Sequence, residues 1–296
     1  MLPLDQDLQT PKDNLEDFAS LSTRVLSHLT NVLSDSEIKS KYIIHNSVIA
    51  DNVKFLRPVN QELVLFEEES FREHFEQFRK IINRLKERKL DFNEEDFSVV
   101  DRTLYSIQQL IGCGLDLLVN PNSARKHVGN RFEELMRSLF TETGITNKRI
   151  ILKIPYETEE GEAIYRCEND LILSPYDEVR STEHWLDKNE IVVSAKTTSK
   201  DRMGKMFMDK ILLENFLGHS QKVIGIFQND VQRKGKNNIS YTLVSGLFMV
   251  YSRFLTELDG VYYMDPPPNA YKAAYKHNMY QFSRLLLKDI WKMLAT

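Results

Sequence analysis

Three residues in the middle of the chain have the types and order that hydrolysis of a phosphodiester requires. Asp170 sits inside CENDLILS, flanked by apolar residues, as a ligand carboxylate rising from a strand would. Lys196 closes the apolar run Ile191-Val192-Val193, far enough downstream for an antiparallel neighbour and its loop. A lysine at the end of a buried strand costs free energy unless something there needs a cation. Glu133 lies in the helical stretch GNRFEELM that precedes both. Cleaving a phosphodiester needs a cation to neutralise charge on phosphorus and a deprotonated water in line with it. Carboxylates on rigid elements hold Mg2+, a hard ion that prefers oxygen, and a nearby lysine orients or activates the water. Each residue also has an ordinary reading: a turn aspartate, a solvated lysine, a glutamate on an amphipathic helix. The ordered set carries the weight.

The elements that must position this set follow from the apolar periodicity. GNRFEELMRSLFTETG presents Phe132, Leu135, Met136 and Leu139 on one face and stops at Gly144. Strands are expected over 149–156, 163–174 and 190–196, then a helix over 203–217, a strand over 222–227 and another over 240–246. The order is αβββαβ, a small α/β (α+β) core with a mixed central sheet. The first third reads as an added helical region, with periodic apolar residues from Leu15 to Val32, from Phe71 to Leu85 and over 103–118. Between them, residues 41–66 alternate short apolar runs with breakers and support no assignment. Residues 271–294 read as a closing amphipathic helix. This divides the chain into 1–120 and 121–296, but no Gly/Ser linker marks the boundary, so one compact domain remains open.

Bulk composition adds bounds. The chain has 296 residues, 42% hydrophobic and 28% charged, which is ordinary for a globular protein. No run reaches the ~18 apolar residues of a membrane span, and the first ten residues are too polar for a signal peptide. Cys113 and Cys167 make no disulfide framework, which points to a reducing cytoplasm. The net charge of −4 gives no overall support for a polyanion partner. Basic residues nevertheless collect at 125–127, at Arg131, at 148–149, over 200–205 and at 233–236, which leans towards a basic cleft.

The stretch SAKTTSKDR, residues 194–202, resembles the CCGG group of type II restriction endonucleases, the EcoRII/NgoMIV-like branch of the PD-(D/E)XK nucleases. Asn169 stands where that superfamily usually has proline, and Ser194 stands where its second acid should be. In the CCGG group that acid has moved onto the following helix and a serine replaces it. The resemblance therefore implies Asp170 as central metal ligand, Glu133 as metal-associated glutamate and Lys196 as catalytic lysine. The displaced acid falls at Asp209 by register, with Glu214 in reserve. It implies Mg2+ as cofactor, double-stranded DNA as substrate, and a bacterial cytoplasmic enzyme.

The same resemblance assigns base reading to Lys200, Asp201 and Arg202. An arginine fork matches guanine O6 and N7, and a carboxylate accepts from the cytosine amino group. The plainer reading is that these charges decorate a helix N-terminus, where cations are mildly unfavourable without an anion. Phe55 and Arg57, in VKFLRPVNQ, are candidates for stacking and clamping a flipped nucleotide, against the plainer reading that Phe55 is a core residue. A palindromic site would be matched by a homodimer built on the N-terminal helices. Two other readings stay open: a repair or junction-resolving nuclease, and a non-catalytic DNA-binding protein on a decayed nuclease core.

Overall fold

The computed structural model describes residues 2–49, 52–200, 202–235, 238–243 and 245–295. The chain opens with helices α1 (Leu4–Gln9) and α2 (Leu15–Val32), the second started by Asn14, whose side chain accepts from Asp17 N. Next comes a small antiparallel sheet: β1 (Asp35–Lys39), β2 (Tyr42–Ile49), β3 (Asn52–Phe55) and β4 (Val59–Asn60). Residues 41–66, unassigned from sequence, largely build it. Strand β2 is long enough to pair β1 on one edge and both β3 and β4 on the other.

Three long helices follow, α3 (Glu68–Lys86), α4 (Glu94–Leu118) and α5 (Pro121–Glu142). A capping box between Asn93 and Asp96 starts α4, which is buried on nearly every side from Val99 to Leu117. One contiguous apolar cluster runs from Leu8 through α4 and α5 to Ile290, so N-terminal helices and sheet share a core.

The central sheet has six strands in the order β12-β11-β8-β7-β6-β5. These are β5 (Thr146–Thr158), β6 (Gly161–Ser174), β7 (Ile191–Lys196), β8 (Lys222–Asn229), β11 (Gly260–Asp265) and β12 (Met279–Gln281). Pairing is antiparallel from β5 to β7 and parallel from β7 to β12, which makes the sheet mixed. Strands β7, β8 and β11 are near-continuous buried runs because both faces are covered there, whereas the outer ends of β5 and β6 are exposed. Val193 and Ala195 face α5, whereas Val192 and Val223 face α6 (Arg202–Leu217). The order α5, β5, β6, β7, α6, β8 reproduces the αβββαβ core.

Two expected elements differ. Residues 240–246 do not form a sheet strand. Instead, β9 (Val231–Lys234) and β10 (Asn238–Tyr241) pair only with each other, and α7 (Ser245–Phe254) follows. The chain leaves the sheet at Asp230, whose carbonyl takes the Thr242 N–H at 2.9 Å. The C-terminal helix is also shorter than expected. Residues 268–271 form a 3-10 turn, β12 joins the sheet edge, and helical structure spans only 282–293. Asp101 on α4 starts that helix by accepting both Ser283 N and Ser283 Oγ. Among the described residues no helix is long and apolar enough to cross a membrane.

Candidate active site

Strand β6 carries an irregularity at the position that matters. Its pairing with β5 skips from Lys148–Ile172 to Ile150–Asn169, so Asp170 and Leu171 together stand against Arg149. Such bulges re-aim side chains. On the other side, the β6–β7 ladder covers only Leu171–Val193 to Leu173–Ile191, and the strands then part. Asp170 Oδ2 bridges the opening by accepting the Ala195 N–H at 3.0 Å. The carboxylate replaces a main-chain acceptor there and leaves its second oxygen free to act.

That oxygen, Oδ1, accepts from Lys196 Nζ at 2.8 Å, and Glu133 Oε1 accepts from the same nitrogen at 2.8 Å. Helix α5 supplies Glu133; it begins at a cap where Asn120 accepts Ser123 N, with Pro121 in the first turn. Asp170 is the most enclosed of the three, and Glu133 and Lys196 are about a quarter exposed. Burial alone would lower the Lys196 pKa, but Asp170 and Glu133 outweigh it and hold the ammonium above its ordinary value. Two carboxylates and a lysine from three elements thus meet at one end of the sheet.

The other expected acids lie elsewhere. Asp209 pairs with Lys205 at 2.5 Å, one turn back on α6. This pair is felt by Cys167, whose thiol is pushed up to about 11, first by burial and then by Asp209. Glu214 accepts from Ser220 Oγ and Gln221 N at 3.1 Å and so closes the turn into β8. Among the described residues, no group of three or more His, Cys, Asp or Glu side chains gathers in metal-holding geometry. The oxygens that converge belong to Glu133 and Asp170.

Beyond Lys196 the chain enters a cavity of about 510 Å3, lined by Thr197 and Thr198 on this side. Phe55, Arg57, Arg125, Gln228 and Arg233 line it from other elements. Arg57 donates Nε to Asp116 Oδ2 at 2.8 Å and Nη2 to Oδ1 at 2.9 Å, a two-pronged contact across to α4. A Cβ on Gly112 would lie 2.2 Å from Arg57 Nη1, so a glycine there lets the guanidinium rest on the helix. The Arg233 guanidinium lies 5.2 Å from the Phe55 ring centre. Lys200 and Arg202 are exposed at the start of α6, and Asp201 lies outside the described residues.

This architecture has a counterpart among solved structures. The type IIP restriction endonuclease Kpn2I superposes with a TM-score of 0.74 over 98% of this chain and 97% of that chain, at 15% identity. The fold is restriction-endonuclease-like. A restriction endonuclease PspGI–substrate DNA complex also aligns, with a TM-score of 0.42 and 14% identity, over 76% of this chain and 92% of that chain. No protein-family model and no curated protein sequence matches the chain. At this fold's sheet end, sequence reasoning passed over Asp116, which has no local signal because it lies 59 residues from Arg57. It also passed over Asp230, which closes a buried strand as Lys196 does.

Proposed function

We propose that the chain is a Mg2+-dependent, sequence-specific DNA endonuclease of the type II restriction class. It acts as a homodimer in the bacterial cytoplasm on a palindromic site with a CC…GG core, of CCGG or CCNGG type. The observation that carries this reading is the Lys196 ammonium, held 2.8 Å from both Glu133 and Asp170 at the end of a restriction-endonuclease-like sheet. The likeness to Kpn2I over nearly the whole chain supports the reaction class.

Two carboxylates on a strand and a helix form an all-oxygen donor set of the kind Mg2+ takes, completed by waters and substrate phosphate. Glu133 and Asp170 would hold the ion, with Asp209 as a further ligand if α6 brings it closer on DNA. When bound, the ion neutralises charge on the scissile phosphate and acidifies a water. Lys196 has three donor hydrogens and gives two to carboxylates, which leaves the third for that water or a phosphate oxygen. Asp170 cannot drift, because its other oxygen is tied to the Ala195 peptide. Lys200, Asp201 and Arg202 follow after a short loop, where they would read the C:G pairs. Phe55 and Arg57 would receive a displaced nucleotide in the adjoining cavity.

Digestion of a defined plasmid with Mg2+, and again with EDTA, tests the reading. Discrete fragments in Mg2+ alone are expected, and sequencing their ends gives the site. Smearing or cutting only of branched DNA would move the function to a repair-type nuclease. One observation favours a second reading, a DNA-binding protein without cleavage: Asp209 is bonded to Lys205 and leaves two converging acids instead of three. Specific binding with no cutting in Mg2+ or Mn2+ would establish it.

A further inference from the structure

Asp230 closes β8 just after Asn229, and its side chain is fully buried. Its Oδ1 accepts from Thr198 Oγ1 at 3.1 Å, Ser199 N at 2.8 Å and Thr242 Oγ1 at 2.8 Å. Its Oδ2 accepts from Ser199 Oγ at 2.6 Å and Tyr263 Oη at 2.8 Å. All five donors are uncharged, and among the described residues no Lys or Arg pairs with it. A carboxylate buried without a cation is costly, and only a complete set of donors offsets the cost. Such a group would be easy to replace if it only filled space.

Its donors come from three places: the loop after Lys196, the β9–β10 ribbon through Thr242, and β11 through Tyr263. The loop is the part with chemical consequence. Ser199 receives the carboxylate through both its N–H and its hydroxyl, and its own carbonyl accepts Arg202 N at 2.8 Å and Met203 N at 2.7 Å. The carboxylate therefore fixes Ser199, and Ser199 fixes the first turn of α6. Lys196 stands on one side of this clamp and Lys200 and Arg202 on the other.

We infer that Asp230 is a positioning residue for DNA recognition, setting the register between the cleavage lysine and the base-reading triplet. This rests on the endonuclease reading given above. Asp230 touches no DNA; it acts through Ser199. The buried anion also links recognition to the ribbon, since the Thr198 and Thr242 hydroxyl oxygens lie 2.9 Å apart and both reach Oδ1.

Asp230→Asn tests this with little change of shape. The hydroxyls can turn and accept from an amide, but Ser199 N must still donate, so the chain can fold with a weaker clamp. Equilibrium binding in Ca2+ is measured on a duplex carrying the site read from plasmid fragment ends. The same duplex with one C:G pair of the site inverted is the comparison, and active protein is titrated in each preparation. Discrimination between the duplexes is expected to fall by about tenfold, the scale of one lost base contact. Because active protein is titrated, any loss of folded protein drops out of both binding constants and the ratio reports recognition alone. A ratio equal to wild type in Asp230→Asn overturns the inference. If that variant does not fold, Thr242→Val decides, since it keeps the anion and removes one donor. It should lose part of the discrimination, and an unchanged ratio would again overturn the inference. A wild-type protein that yields no fragments, or binds both duplexes alike, fails the endonuclease reading itself and takes this inference with it.

Discussion

Lys196 donates to Asp170 Oδ1 at 2.8 Å while the N–H of its chain neighbour Ala195 donates to the other oxygen of the same carboxylate at 3.0 Å. One side chain therefore fixes both the lysine and the backbone that carries it. Asp170→Ala should lose both ties and leave the Ala195 N–H short of an acceptor. Cleavage is expected to fall by roughly a thousandfold or more, since several kcal/mol of charge stabilisation depends on the carboxylate. Specific binding in Ca2+ should persist. A variant that cuts at near wild-type rate would remove Asp170 from the site.

Asp209 and Glu214 separate by a metal titration. Asp209→Ala should lower the cleavage rate and raise the Mg2+ concentration giving half-maximal rate. Glu214→Ala should leave that concentration alone and lower stability by about 1 kcal/mol, because Glu214 holds the Ser220–Gln221 turn. An unchanged Mg2+ requirement in Asp209→Ala would restrict the ligands to Glu133 and Asp170. A shift in Glu214→Ala instead would move the displaced acid one turn along α6.

The αβββαβ core was legible because each of its elements keeps one period over enough residues, and its strands are bounded by breakers. The β11 strand GVYYMD was not. Its partner β8 lies a helix and a ribbon away in sequence, and a six-residue apolar run has no local mark of parallel pairing. Residues 271–294 misled for the opposite reason. The periodic tail from Phe282 onward is helical, but Met279–Gln281 is claimed by the sheet edge, and tertiary pairing overrides local preference there. Around the site, Asp170 and Lys196 drew attention as charges at the ends of buried strands. Asp230 has the same signature in VIGIFQND and its meaning lies entirely in distant partners, Thr198, Ser199 and Tyr263.

Acid–base titration should show in stability through Asp101. Burial pushes its carboxyl up to about 7, and the two Ser283 bonds pull it down only in part. The unfolded chain has this group near the ordinary carboxylate value of ~4. The folded state therefore binds the proton more tightly, so its contribution is full below about pH 4 and is lost as pH rises through 7. The loss is at most roughly 4 kcal/mol. Asp101→Asn keeps the acceptor for Ser283 N and should flatten the decline in melting temperature between pH 5 and 8. Parallel curves for the two proteins would show that Asp101 does not titrate in this window.

The cavity beside the site makes a separate prediction. If Arg57 and Phe55 receive a displaced nucleotide, 2-aminopurine placed at that position of the site should brighten on binding, because it leaves the stack. Arg57→Ala should abolish the rise while leaving the fold, since Asp116 is a quarter exposed and can be hydrated when its partner is lost. No rise at any position of the wild-type site would make the Arg57–Asp116 pair a structural tie between the β3–β4 connection and α4.

Arg202 offers the sharpest test of sequence reading. It is exposed at the first residue of α6 and off the apolar stripe of Met203, Met206, Phe207 and Leu213. Its substitution should spare the core. Losing a bidentate arginine–guanine contact costs ~1–3 kcal/mol of discrimination against the wrong base. Losing a phosphate contact weakens every sequence alike and flattens the dependence on salt. Arg202→Ala should therefore weaken binding to a CCGG-type duplex about tenfold or more relative to a scrambled one, with little change in salt slope. Asp201→Ala should relax selectivity at cytosine, because a carboxylate accepts from its amino group. Competition binding against the two duplexes at two salt concentrations measures both effects. Equal loss on both duplexes with a shallower slope would assign Arg202 to the phosphate backbone, and base reading would have to come from other residues near the cavity.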